Sequence, residues 1–146
     1  MRAAAVVALT LALAASACVS PSRTDRDYEL KAGNTAKAVA SSLATAFIAA
    51  KAADDGKGTG PYFSVLLGDA EKDAASVENT FDSVQPPSRE ADRLRDAVDA
   101  LLSDASSGLA KMRITVRRGQ LHELLPLAVA LQPTLDKLRQ LADRYQ

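Results

Sequence analysis

Tryptophan is absent from this chain of 146 residues, and aromatic residues make up only 4% of it. So few rings leave little with which to stack a flat cofactor or an unpaired base. Cysteine occurs once, at Cys18, so no disulfide can close within the chain and no metal site can be built on paired thiolates. Histidine also occurs once, at His122. A di-metal helical bundle needs Glu-x-x-His on two helices. Gly119 stands three residues before His122, so that motif is missing and no metal is expected. An excess of one charge is lacking too: eighteen basic residues face eighteen acidic ones. That balance gives no general attraction for nucleic acid. Gly56, Gly58 and Gly60 lead into Pro61 and Tyr62, without the Lys-Ser/Thr ending of a phosphate loop. His122 and Glu123 are neighbours and point about 100° apart on a helix, which prevents a direct base-and-orienter relay; His122 reads as an exposed or capping residue. No cofactor and no catalytic residue emerge, and the expectation is a chain that is not an enzyme.

A membrane-length apolar run is missing as well. The uncharged start, Ala3 to Ala17, carries Thr10 and Ser16 as its polar residues. As a helix it would span about 22 Å, short of the ~30 Å hydrocarbon core. Preceded by Met1-Arg2 and ended by small residues, residues 1–17 read as an export signal. Ala15-Ser16-Ala17 followed at once by Cys18 resembles the lipobox of bacterial lipoproteins, a family that favours Leu at the place of Ala15. The resemblance implies cleavage between Ala17 and Cys18, a diacylglyceryl thioether on Cys18 and usually acylation of the new amino terminus. It also implies export, with anchoring to the outer face of the cytoplasmic membrane, or to an outer membrane where the source has one. Two acyl chains, at about 0.8 kcal/mol per buried methylene, hold durably where one does not. Ordinary cleavage after Ala17 would instead leave Cys18 as a free thiol, a liability in an exported protein. Loss of Arg2 with the signal leaves one acidic residue in excess.

Residues 18–26 then form the lipidated cysteine and a short polar tether, and 27–146 a helical domain. Four stretches repeat apolar residues at helical spacing. Ala32, Ala36, Val39, Leu43, Phe47 and Ala50 form the first stripe, which Asp54 to Gly60 interrupts. The second starts at Pro61, suited to a first helical turn, and runs through Phe63, Leu67, Ala74 and Phe81 to Val84. Its Asp69, Glu71, Asp73, Glu78 and Asp82 read as a solvated face. After Gln85-Pro86-Pro87, Ser88 is a natural N-cap, with Glu90 and Asp92 in the first turn. The third stripe includes Leu94, Val98, Leu101, Leu102, Leu109, Met112 and Val116, with Leu101→Ala expected to cost about 2–5 kcal/mol as a buried leucine. Arg113-Ile114-Thr115-Val116 could pass for a strand, but Val116 continues the stripe and Arg117-Arg118-Gly119 forms a helix end. The fourth helix is expected from about Gln120 to Arg144, kinked or split by Pro133. The fold class is therefore all-α: an antiparallel up-down-up-down four-helix bundle.

One local excess of positive charge stands out: Lys111, Arg113, Arg117 and Arg118. An amino terminus tethered at Cys18 would set this cluster at the far end of an up-down bundle, facing an anionic envelope polymer or an acidic protein. Alternatively the cations only complement the helix dipole. The stretch from Thr80 to Gly119 is similar to helical lipoproteins and exported proteins of bacteria, on Gln85-Pro86-Pro87, Ala91-Asp92-x-Leu94-Arg95 and Arg113-Ile114 before Arg117-Arg118-Gly119. That similarity implies no activity. The expected function is a lipid-anchored, monomeric, non-enzymatic interaction or structural module of the bacterial cell envelope. The alternative is a ligand-binding or sensing bundle with a small apolar pocket near Pro133, lined by Leu131 and Leu135.

Overall fold

The computed structural model describes residues 22–146, and all of its regular structure is helical. Ala17 and Cys18 lie outside the described residues. Four α-helices form the bundle: α1 (Asp25–Asp54), α2 (Gly60–Asp82), α3 (Arg89–Arg117) and α4 (Leu124–Arg144), with one 3-10 turn (Leu121–Glu123) before α4.

Helix α1 begins inside the stretch expected to be tether. Thr24 caps it by accepting from the Asp27 backbone N–H at 3.1 Å, and Asp25 and Asp27 place negative charge in the first turn. Its buried row runs from Tyr28 through Ala32, Ala36, Val39, Leu43, Ala46 and Ala50. Alanines dominate this row, so neighbouring helices can come close, and α1 packs on α2, α3 and α4 alike. Pro61 occupies the first turn of α2, where its missing N–H costs no hydrogen bond. Val84, expected inside that helix, lies beyond its end but is still buried.

Ser88 caps α3 by accepting from the backbone N–H groups of Glu90 and Ala91. The β-branched run near its end stays helical because Thr115 and Val116 are both buried against the core. The helix stops in a Schellman arrangement: Gly119 takes φ +75°, its N–H donates to Val116 O, and Gln120 N–H donates to Thr115 O at 3.1 Å.

Helix α4 begins later than expected, and it is not split at Pro133. It starts at Leu124, after the 3-10 turn, and it runs unbroken through Pro133 to Arg144. Pro133 and Val129 are both exposed. Proline at 133 removes the hydrogen bond to the Val129 carbonyl, and water can solvate that carbonyl, so the helix need not split there. The core comprises Tyr28, Leu43, Phe63, Leu67, Leu102, Leu109, Met112, Leu124 and Leu138. No described helix is long and apolar enough to cross a membrane.

Candidate functional site

The basic cluster at the end of α3 comes from a simple helical register. Arg113 and Arg117 are one turn apart, and Lys111 and Arg118 are two turns apart, so the four cations divide between two adjacent rows. The structure does not keep them together as one patch. Arg113 is turned into the seam between α3 and α2, where its Nε and Nη2 both donate to Glu71, the second at 3.2 Å. Both side chains are about three-quarters buried, and the carboxylate holds the guanidinium more firmly protonated. Arg113 therefore leaves the expected anionic-partner patch, while Lys111, Arg117 and Arg118 are exposed. Glu71 and Glu78 correspondingly leave the expected solvated face of α2, since Glu78 accepts from Ser106 Oγ at 2.6 Å. Sequence spacing does not reveal these pairs, because they join side chains 42 and 28 residues apart.

Asp55, at the α1–α2 loop, is engaged by lysines close to it in sequence. Lys57 and Lys51 bond it at 3.2 and 3.3 Å and hold its carboxyl below the usual range. His122 sits in the 3-10 turn with an 82% exposed side chain, 3.9 Å from Glu123 Oε1. Glu123 instead accepts a hydrogen bond from Gln120 Nε2 at 3.0 Å. Among the described residues, no three His, Cys, Asp or Glu side chains gather to hold a metal.

Four surface clefts of about 240 to 660 Å³ include none lined by Leu131, Pro133 or Leu135. Around Leu131 the packing is close: a Cβ built on Gly108 would lie 2.4 Å from Leu131 Cδ2. A cleft of about 630 Å³ lies elsewhere, with Leu94, Leu101 and Leu141 among its lining and Asp104, Lys137 and Arg144 beside them. Leu101, expected in the core, is thus only half-buried.

A second polar cluster escaped the sequence reading. Tyr28 is fully buried, with its ring tilted against Phe81 at 5.4 Å, and its hydroxyl has no hydrogen-bond partner. Burial pushes that hydroxyl up to about 12. Asp99 Oδ1 is also buried without a partner, and burial, then the charge of Asp82, raises its carboxyl. Arg95 approaches Asp99 Oδ2 at 3.5 Å and donates to the Asp82 carbonyl at 2.8 Å. The i,i+4 spacing of Arg95 and Asp99 was a visible signal; their proximity to Tyr28 was not.

Comparison with family models, curated proteins and solved structures finds no match to this chain.

Proposed function

We propose that this chain is a lipid-anchored, non-enzymatic interaction or structural module of the bacterial cell envelope, exported and held at the membrane through Cys18. The observation that carries this reading is Ala15-Ser16-Ala17-Cys18 directly behind the apolar start. Cys18 lies only a few residues before α1 begins at Asp25, so the lipid would hold a helical domain on a short leash. The mature domain is a monomer that displays its exposed surface to a partner, an envelope protein or an anionic polymer.

We further propose that the four helices alternate in direction. Glu71 meets Arg113 while Glu78 meets Ser106, so position rises along α2 as it falls along α3. Ser88 meets Asp25, which places the starts of α3 and α1 together. Gly33 lies against Tyr145, which places the end of α4 beside the early turns of α1. These pairs support an up-down-up-down bundle.

The ligand-binding alternative keeps one observation in its favour, the cleft beside Leu94, Leu101 and Leu141. That cleft lies where α3 and α4 meet the start of α1, away from Pro133.

Intact mass of the mature protein tests the main reading. The expected mass begins at Cys18 and carries acyl increments, and Cys18→Ala is expected to leave the precursor uncleaved or release the protein from membranes. A mature chain with an unmodified thiol overturns the reading.

A further inference from the structure

Acids are confined to one part of α3: Glu90, Asp92, Asp96, Asp99 and Asp104 stand at its start and middle, interleaved with Arg89, Arg93 and Arg95, and no acid occurs from Ala105 to Gln120. The adjoining part of α2 is also free of acids, since Gly60 to Gly68 carry no charge. The contacts of Arg113 with Glu71 and of Ser106 with Glu78 fix which rows of the two helices face each other. A step of about 100–120° outward from those rows brings Ile114 on α3 and Val65 and Lys72 on α2, with Lys111 about 150° round at the far edge of α3. All four are exposed, Val65 at 64% and Ile114 at 41%. Tyr62, at 60%, lies beside Val65 on the same end of α2. Arg117 and Arg118 complete this face, and Asp69 is the acid at its edge.

We propose that this face, spanning α2 and α3 near the Gly119 end, docks on an anionic lipid surface. Large apolar side chains left in water among cations match what the headgroup boundary of an anionic bilayer offers: phosphate for Lys and Arg, and acyl boundary for Tyr, Val and Ile. Glu71 neutralises Arg113, which is why Arg113 is not counted among the docking charges. Charge complementarity also disfavours a second copy as the occupant. A two-fold pairing of this face would set Arg117 and Arg118 against their own counterparts.

The geometry fits the anchored reading and deepens it. Cys18 to Thr24 can reach about 24 Å when extended, enough for the bundle to lean over onto the membrane that holds the lipid. Lipid and face then act together on one chain, the durable anchor raising the local concentration of the face at the membrane. The tether matters only to which membrane is met. The affinity of the face for lipid stands on its own, so an unmodified Cys18 would overturn the anchor and leave this inference standing.

The test is partition of the full chain onto vesicles of phosphatidylcholine alone and of phosphatidylcholine mixed with phosphatidylglycerol. The amino-terminal apolar stretch is common to every variant and cancels in the comparison. Wild type is expected to bind the mixed vesicles more tightly. The R117E/R118E variant is expected to lose about tenfold or more of that binding and to keep its helical circular dichroism. Ile114→Ser is expected to lose about threefold on the same vesicles. The control R139E/R144E, on α4, is expected to change little. Equal partition onto both vesicle types overturns the inference, as does a control loss as large as that of R117E/R118E. Equally tight binding to soluble polyglutamate, with no effect of Ile114→Ser, also overturns it and assigns the cations to an anionic polymer.

Discussion

Ser88 donates its hydroxyl to Asp25 at 2.6 Å, across 63 residues of sequence, while the same oxygen accepts from the first turn of α3. One side chain thus caps one helix and fastens its start to the start of another. Asp25 in turn supplies first-turn negative charge to α1.

Ser88→Ala is expected to cost about 1–2 kcal/mol, at the upper part of the range for a lost cap because a contact between helices is lost with it. Ser88→Asp keeps a capping oxygen but sets a second carboxylate against Asp25, so it should recover only part of that loss. Urea midpoints of the three proteins at one pH check this.

Leu101 and Leu102 are neighbours whose truncations should differ widely. Leu102 is fully buried, whereas Leu101 borders the cleft between α3 and α4. Leu102→Ala is expected to cost about 2–5 kcal/mol, with Leu101→Ala nearer 1 kcal/mol because water can fill the space vacated. Equal losses in chemical denaturation would contradict the placement of Leu101.

Gly108→Ala is expected to change stability by less than about 1 kcal/mol, because alanine's better helix propensity, worth about 1 kcal/mol, opposes the displacement of Leu131. The new methyl group would lie 2.4 and 2.5 Å from the two Cδ atoms of Leu131 and must displace that side chain. Those atoms are the flexible tip of a half-buried side chain, so the shift is small in cost. In the Leu131→Ala background the full propensity gain of about 1 kcal/mol should appear, and a double-mutant cycle reads the coupling.

Tyr28 carries the clearest pH dependence. Burial raises its hydroxyl to about 12, against about 10 in an unfolded chain. The fold favours the neutral phenol, so this contribution is fully present below about pH 10. It is lost as pH rises through about 12. Tyr28→Phe should flatten that alkaline decline. At neutral pH it should cost nothing or stabilise by up to about 1 kcal/mol, because the hydroxyl it removes has no partner. Stability curves of both proteins across the alkaline range test the sign.

Local chemistry was legible without the fold. Ser88 as a cap, Pro61 in a first turn and Gly119 as a stop each act within a few residues, so neighbouring sequence was enough to place them. The four amphipathic stripes likewise gave four helices, because a period of 3.6 can be counted along the chain. The start of α1 is hidden in sequence, since Asp25 and Arg26 look like polar tether until Thr24 is seen to cap them. Pro133 signals a kink or a split in sequence because proline's cost in a helix is local, while the exposure that lets the helix continue through it is not.

Tertiary structure alone decided which residues of a stripe lie at its centre and which charges find partners. Leu101 and Leu102 look alike in sequence, yet the placing of α4 leaves one beside a cleft and buries the other. Arg113 looks like Arg117 and Arg118, yet the α2–α3 seam brings it to Glu71 and leaves the other two in water. Tyr28, Asp99 and Arg95 form a cluster only once α1 and α3 are packed together. The physical reason is range. Caps, turns and periodicity are set by backbone geometry over one or two helical turns, whereas ion pairs and burial depend on helices whose sequence separation carries no record of their contact.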